Sequence, residues 1–432
     1  MADPTPATLI DQIEDARART LALIEGLDAA QLMGPKLPIV NPLRWEIGHA
    51  AYFYELWVLR HHFGEGPDRP DADRLYDSIS IAHDDRWDLP LPPLPDTLAY
   101  MQGVLERVRA RLANGTEDRR RDYLAQYALY HEDMHTEAFT YTRQTLAYPA
   151  PAIATASAPA APAHCLAGDA AVPGGEFLLG ARPEDGFCFD NEKWAHPVEV
   201  RPFRIARTAV SNGEFAAFVD DGGYRRPELW GAEGWAWREG CGLAHPIYWR
   251  PGPDGWELRR FDRWGPLPLA SAVIHVNWYE ANAYCQWAGR RLPSELEWEV
   301  AAAGEPNAGG SSLAAVKRRY PWGDAPPDPE RANLDGHALG TIDVAALPGG
   351  DSAFGCRQML GNCWEWTDTT FGPYPGFSPD MYHDYSQPLF GSTRVLRGGA
   401  WATRGRMIRN TWRNYYGPER NDVLAGFRTC AL

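Results

Sequence analysis

The stretch "PAPAIATASAPAAPAH" constrains this chain more than any other, because it divides the sequence into two regions of different texture. It is rich in Pro and Ala and carries no charge before its final His, so it reads as a linker over 149–165 rather than as part of a core. Before it, over 1–148, the chain reads as helices. "TLIDQIEDARARTLALIEGL" places apolar residues at 9, 10, 13, 16, 21, 24 and 27, near the 3.6-residue period. In "NPLRWEIGHAAYFYELWVLRHHF" we expect Asn41 as N-cap and Pro42 at the first helical position. "PDTLAYMQGVLERVRARLANG" is expected to start at an Asp96 cap and stop at Asn114-Gly115, and "DRRRDYLAQYALYHEDMHTEAFTYTRQTL" is a fourth, long helix. After the linker, over 166–432, short strand-like runs alternate with Gly and Pro, and most of the 18 tryptophans lie there, which suggests a loop-rich domain packed on aromatic rings. "WYEANAYCQWAG" is one expected helix, and Ser294 with Glu297 forms an expected capping box for the next.

Charge and cysteine usage remove several function classes. A formal charge of -15 argues against nucleic acid and against an anionic membrane surface, since both require a basic patch. No apolar run is long enough to span a membrane, and the first residues lack a basic-then-apolar signal. The seven cysteines are scattered and none forms C-x-x-C, so neither a disulfide framework nor a thiolate zinc site is favoured. These features imply a cytoplasmic protein with reduced thiols, and we expect a monomer.

His131-Glu132-Asp133-Met134-His135 reads H-E-x-x-H. On a helix the two histidines project from one face, one turn apart, and can chelate a metal; they can equally be solvated or make core hydrogen bonds. A zinc protease would need a downstream third ligand, but Ala138 and Tyr141 stand where the extended pattern wants Gly and His. His49, with Trp45 one turn before and Phe53 one turn after, lies on an inward stripe of another expected helix. His49, His131 and His135 together would make a three-histidine facial site, which suits Fe(II) but also zinc, copper or nickel.

Several phrases after the linker resemble the formylglycine-generating-enzyme, or sulfatase-modifying-factor, superfamily: "VPGGEFLLG", "AVSNGEFAAFV", "RRLPSELEWEVAA", "YPWG", "LGNCWEWT", "VLRGGAWAT" and "AGFR". The resemblance implies an irregular fold related to C-type lectins. Thr403 and Ile408 stand where the name-giving oxidase has its two cysteines, so formylglycine formation is not expected, and Cys363 and Cys430 are expected as buried hydrophobes. With "NPLRWEIGHAAYFYELW", "YDSISIAHDDRWDLPLP" and "HEDMHTEAF", the whole chain resembles the non-heme iron sulfoxide synthases of ergothioneine and ovothiol biosynthesis and the related selenoneine synthases. The fold class this implies is α+β: a DinB-like four-helix bundle followed by a formylglycine-generating-enzyme-like domain.

That resemblance implies Fe(II) on His49, His131 and His135, with hercynine, a thiol or selenol, and O2 as substrates, and a pocket where the two domains meet. It also implies a tyrosine that supplies a proton or electron, for which Tyr374 and Tyr416 are candidates. Candidate substrate contacts are Arg86, Met134, Phe377, Asn414, Tyr415, Tyr416 and Arg420. Arg86 could instead pair with Asp84 or Asp85, and Met134 replaces a Gln that binds hercynine in some relatives. In "RNYYGPERNDVLAGFR" the chain departs from the ergothioneine-type pattern: Tyr415 replaces Trp, Tyr416 replaces Asp and Asn421 replaces Arg. Losing one charge of each sign disfavours a γ-glutamylcysteine donor and suits a neutral polyol, so the reading is a selenoneine synthase joining a selenosugar to hercynine. The alternatives are an ergothioneine-type sulfoxide synthase and, from another class, a non-catalytic lectin-like binder.

Overall fold

The structure, a computed structural model, describes residues 4–114, 118–153 and 166–432, so most of the linker (154–165) lies outside the described residues. The chain forms two compact units, Met1–Ile153 and Ala154–Leu432.

The first unit is built on α1 (Pro6–Ile24), α3 (Leu43–Tyr54), α5 (Leu94–Ala113) and α6 (Arg119–Thr145), with two one-turn helices between them, α2 (Ala29–Met33) and α4 (Ala72–Tyr76). α1 packs on α6, and α3 on both α5 and α6. The buried stripe of α1 runs through Leu9, Ile13, Ala16, Thr20 and Leu23. Leu21, counted above as part of the apolar pattern, falls off that stripe and is 41% exposed. Asn41 does not cap α3, nor is Pro42 its first helical residue: the helix begins at Leu43 with no side-chain cap, and Asn41 turns inward to other partners. Asp96 likewise lies inside the first turn of α5, which starts at Leu94. Asp118 caps α6 by accepting from the Arg121 amide. α3 does not end at Tyr54 but continues through Glu55–His62 with wider, π-helical turns, which bury Glu55, Trp57, Val58 and Leu59 together. Glu55 is held there by the Asp68 amide and by the Tyr100 hydroxyl at 2.6 Å.

Among the described residues the second unit has short strands and four α-helices. β1 (Asp169–Val172) pairs with β4 (Phe203–Ala206), and β2 (Gly175–Leu179) with β3 (His196–Val200). β5 (Trp249–Gly252), β6 (Gly255–Arg260) and β7 (Arg263–Pro266) form a meander, and β8 (Gly304–Pro306) pairs with β9 (Leu313–Lys317). The largest sheet orders β12 (Asn414–Tyr416), β11 (Arg394–Arg397), β10 (Trp364–Thr370) and β13 (Ala425–Gly426), with only the last pair parallel. Capping boxes at Ser211/Glu214, Asn277/Glu280 and Ser294/Glu297 start α7 (Asn212–Asp220), α9 (Trp278–Ala288) and α10 (Glu295–Ala303); α8 (Ala232–Cys241) has no side-chain cap.

With so little regular structure, buried ion pairs tie the loops together. Glu295 on α10 accepts from Arg397 at 2.7 Å and Arg413 at 2.6 Å. Glu299, one turn on, accepts from Arg397 and Lys317, both at 2.5 Å. Glu365 on β10 takes Arg428 at 2.6 Å and the Trp298 indole at 2.8 Å. Removing one member of such a pair strands a buried charge, which is why they are kept as complete sets. Cys363 and Cys430 are buried as expected, and burial raises both thiols, Cys430 to about 12. Thr403 is buried with its hydroxyl accepting from the Ala400 amide, and Ile408 is buried beside it.

Candidate metal centre

α3 supplies His49 and α6 supplies His131 and His135, and the ligand nitrogens of the three lie within 4.8 Å of one another. The stripe read from the sequence is what delivers them. Trp45 stacks on His49 at 4.6 Å, and Phe53 stacks on His131 at 3.8 Å, so the rings are fixed by packing before any ligand arrives.

Hydrogen bonds then set the tautomers. His49 Nδ1 lies 2.7 Å from the Tyr76 carbonyl, and His135 Nδ1 lies 3.1 Å from Glu46 Oε1. A carbonyl or a carboxylate can only accept, so each Nδ1 carries the proton and each Nε2 keeps its lone pair. Burial, with its histidine neighbours, holds His49 and His131 well below the usual histidine range, so both are neutral and ready to ligate. Three converging imidazoles fit a divalent first-row metal.

The Tyr76 carbonyl reaches His49 because α4 docks against α3 at Gly48. A Cβ there would lie 2.1 Å from the Tyr76 ring, so only glycine permits the approach. The Trp45 indole, donating to the Leu75 carbonyl at 2.8 Å, clamps the same segment.

Glu132, the acid of the H-E-x-x-H string, points elsewhere. It accepts from Thr20 Oγ1 at 2.8 Å and pairs with Arg17 at 3.2 Å, buried between α6 and α1. The general base that a metalloprotease needs is therefore not at the histidine cluster.

Arg86 lies over the Trp45 ring at 4.1 Å and donates to Asn41 Oδ1 at 2.7 Å, so it reaches inward to the α3 start. Met134 precedes His135 and is half-buried. In the second unit, Asn414, Tyr415 and Tyr416 form β12, and Arg420 lies 5.3 Å over the Tyr416 ring while making a bidentate pair with Asp422 at 2.6 and 2.7 Å. Tyr415 stacks on Phe371 at 4.1 Å and donates to the Tyr385 carbonyl. Phe377 packs edge-on against Phe390, which meets Phe371 in turn. Tyr374 is buried, with its hydroxyl 3.2 Å from Glu295 and its ring under Arg413 at 4.1 Å, and burial raises its pKa well above the usual tyrosine value.

Sequence reasoning missed Glu46 as a partner of the cluster. The available signal was an acid three residues before His49 on the inward face of one helix.

A family model described as the DinB superfamily matches residues 12–139, and one described as the sulfatase-modifying factor enzyme 1-like domain matches residues 155–431. The hercynine oxygenase of Mycolicibacterium smegmatis is 40% identical, covering 98% of each chain. That of Mycobacterium tuberculosis is 39% identical, again over 98% of each. The formylglycine-generating enzyme of Streptomyces coelicolor is 37% identical over 59% of this chain and 85% of its own.

Proposed function

The chain belongs to the hercynine oxygenase family, an enzyme family, and from that premise we propose that it uses Fe(II) on His49, His131 and His135 to join a chalcogen donor to the imidazole of hercynine with O2. The coarse reading is an ergothioneine-type reaction on hercynine. The finer reading takes a selenosugar as donor and makes the chain a selenoneine synthase. The observation that carries the reaction class is the cluster of three imidazoles with two Nδ1 protons engaged and the matching Nε2 lone pairs available.

Ferrous iron, when bound, supplies O2 activation and a common template for ring and chalcogen. Joining the two removes one hydrogen from the ring carbon and one from the chalcogen, a two-electron oxidation that reduces O2 to hydrogen peroxide; if the chalcogen is also oxidised to its oxide, four electrons are removed, one oxygen stays on the chalcogen and the other leaves as water. The residues of the chain hold the reactants and manage protons. Arg86 and Met134 in the bundle, and Phe377, Asn414, Tyr415, Tyr416 and Arg420 in the second unit, are the proposed substrate contacts. Tyr374 and Tyr416 are the proposed proton donors; the Tyr374 hydroxyl donates to Glu295 at 3.2 Å.

Two features support a donor of low charge. Tyr416 and Asn421 stand where the ergothioneine-type pattern has Asp and Arg, and the charge of Arg420 is matched within the chain by Asp422. A selenol also ionises at lower pH than a thiol, so it needs less help from a protein base.

The test is a competition. Fe(II)-loaded protein receives hercynine and O2 with a selenosugar, its thiosugar analogue and γ-glutamylcysteine at equal concentration, and products are weighed by mass spectrometry. The selenosugar adduct is expected to dominate. Preference for γ-glutamylcysteine replaces the selenium reading with the sulfur one, and no adduct with any donor removes the enzyme reading.

A further inference from the structure

Glu46 is the least explained charge in the bundle. It is 2% exposed, and its two polar partners meet on one oxygen: Oε1 accepts from His135 Nδ1 at 3.1 Å and from Asn41 Nδ2 at 3.3 Å. Oε2 is buried without a hydrogen bond. An acid in the first turn of a helix gains from the helix dipole while exposed, so that effect does not account for burying this one. A carboxylate withdrawn from water needs positive charge close by. An imidazole acquires it on binding a cation through the opposite nitrogen.

Asn41 does not reach Glu46 alone. Its Oδ1 accepts from Arg86 Nη1 at 2.7 Å, so a guanidinium on the connection between α4 and α5 orients the amide that orients the carboxylate. The same guanidinium lies on Trp45, the ring stacked on His49. His49 itself is backed by a neutral carbonyl, so the carboxylate's hydrogen bond goes to His135 and not to His49.

Resting on the three-histidine reading, we propose that Glu46 is a positioning residue that aims His135 at the metal, and that Arg86, acting through Asn41, holds Glu46 in that pose. Outer-shell partners of this kind typically change metal affinity by about 10- to 100-fold when removed.

Full-length apoprotein is titrated with Co(II), whose visible bands report the ligand field, alongside thermal unfolding of the apo form. Glu46→Ala is expected to weaken Co(II) binding by about 10- to 100-fold and to shift the bands. Glu46→Gln, which keeps an acceptor, should recover part of the loss. Arg86→Ala should weaken binding less, and the Glu46→Ala/Arg86→Ala double variant should fall within about twofold of Glu46→Ala, because the two act in series. Wild-type affinity and bands in Glu46→Ala overturn the proposal, and multiplying losses overturn the link to Arg86. Should Glu46→Ala not fold, Asn41→Ala and Arg86→Ala decide: both must weaken binding and shift the bands in the same direction, and no change in either contradicts the proposal. If wild type binds no Co(II), or His135→Ala binds it as wild type does, the three-histidine reading fails instead.

Discussion

Two histidines of the bundle's cluster and the ion-pair network of the second unit are similarly withdrawn from water. His49 and His131 are 4% and 5% exposed, Arg413 and Arg428 1% and 0%. They differ in what their hydrogen-bonding capacity is committed to. In the network, acids and bases are matched inside the chain: Glu295 takes two arginines and a tyrosine, and Glu299 takes an arginine and a lysine. In the cluster, His49 and His135 each have one nitrogen fixed by the protein and the other left facing its neighbours. Burial therefore does not separate a site from a scaffold; unassigned valence does. By that criterion Glu132 goes with the scaffold, although it sits inside the motif that draws the eye.

The comparison can be broken at either end. The largest effect is expected from His49→Ala, His131→Ala and His135→Ala, each of which should abolish stoichiometric iron binding and turnover while circular dichroism shows the fold retained. Full activity in any one would remove it from the ligand set. Next comes Glu295→Ala, which strands Arg397 and Arg413. It should cost about 3 to 5 kcal/mol of stability in denaturant unfolding and leave metal affinity untouched. Loss of metal from that variant would erase the distinction drawn here. Glu132→Gln should cost about 2 to 4 kcal/mol by weakening the Arg17 pair, yet keep turnover per bound iron. Gly48→Ala forces Tyr76 away, so it should cost about 1 to 3 kcal/mol and also loosen metal binding by releasing His49 Nδ1. A normal affinity would mean the Tyr76 carbonyl does not set the ligand.

The smallest effect concerns pH and the second unit alone. His275 is buried with Nδ1 donating to the Asp422 carbonyl at 3.1 Å, and burial lowers its pKa to about 3. Its unfolded value is about 6.5, so between the two the unfolded chain binds the extra proton. The neutral imidazole's contribution is thus complete above about 6.5 and declines as pH falls toward the folded value. Thermal unfolding against pH should show that slope, and His275→Gln should flatten it.

Much of this was legible in the sequence because it rests on local periodicity. The inward stripe Trp45, His49, Phe53 and the pair His131, His135 follow from helical spacing, and the Ser294/Glu297 cap from a four-residue pattern. Asn41 was misread because its side chain can cap a helix in isolation, and only the fold reveals that Arg86 engages its oxygen and Glu46 its amide nitrogen. The phrases that mark the second unit were recognisable without their reason being visible. Glu295, Glu299, Glu365, Arg397 and Arg428 sit in them as members of pairs separated by 63 to 102 residues, and no local rule connects such partners. The continuation of α3 in π-helical turns was likewise hidden, since the buried Glu55 finds its partners on other elements.

The central claim is that H-E-x-x-H in this chain is a metal-holding pair without a catalytic glutamate, completed by His49. It is tested most directly by following hercynine-dependent O2 consumption in Fe(II)-loaded wild type, His49→Ala and Glu132→Gln, each normalised to bound iron. The expected result is consumption in wild type and Glu132→Gln and none in His49→Ala. Consumption retained in His49→Ala, or lost in Glu132→Gln with iron still bound, would contradict it.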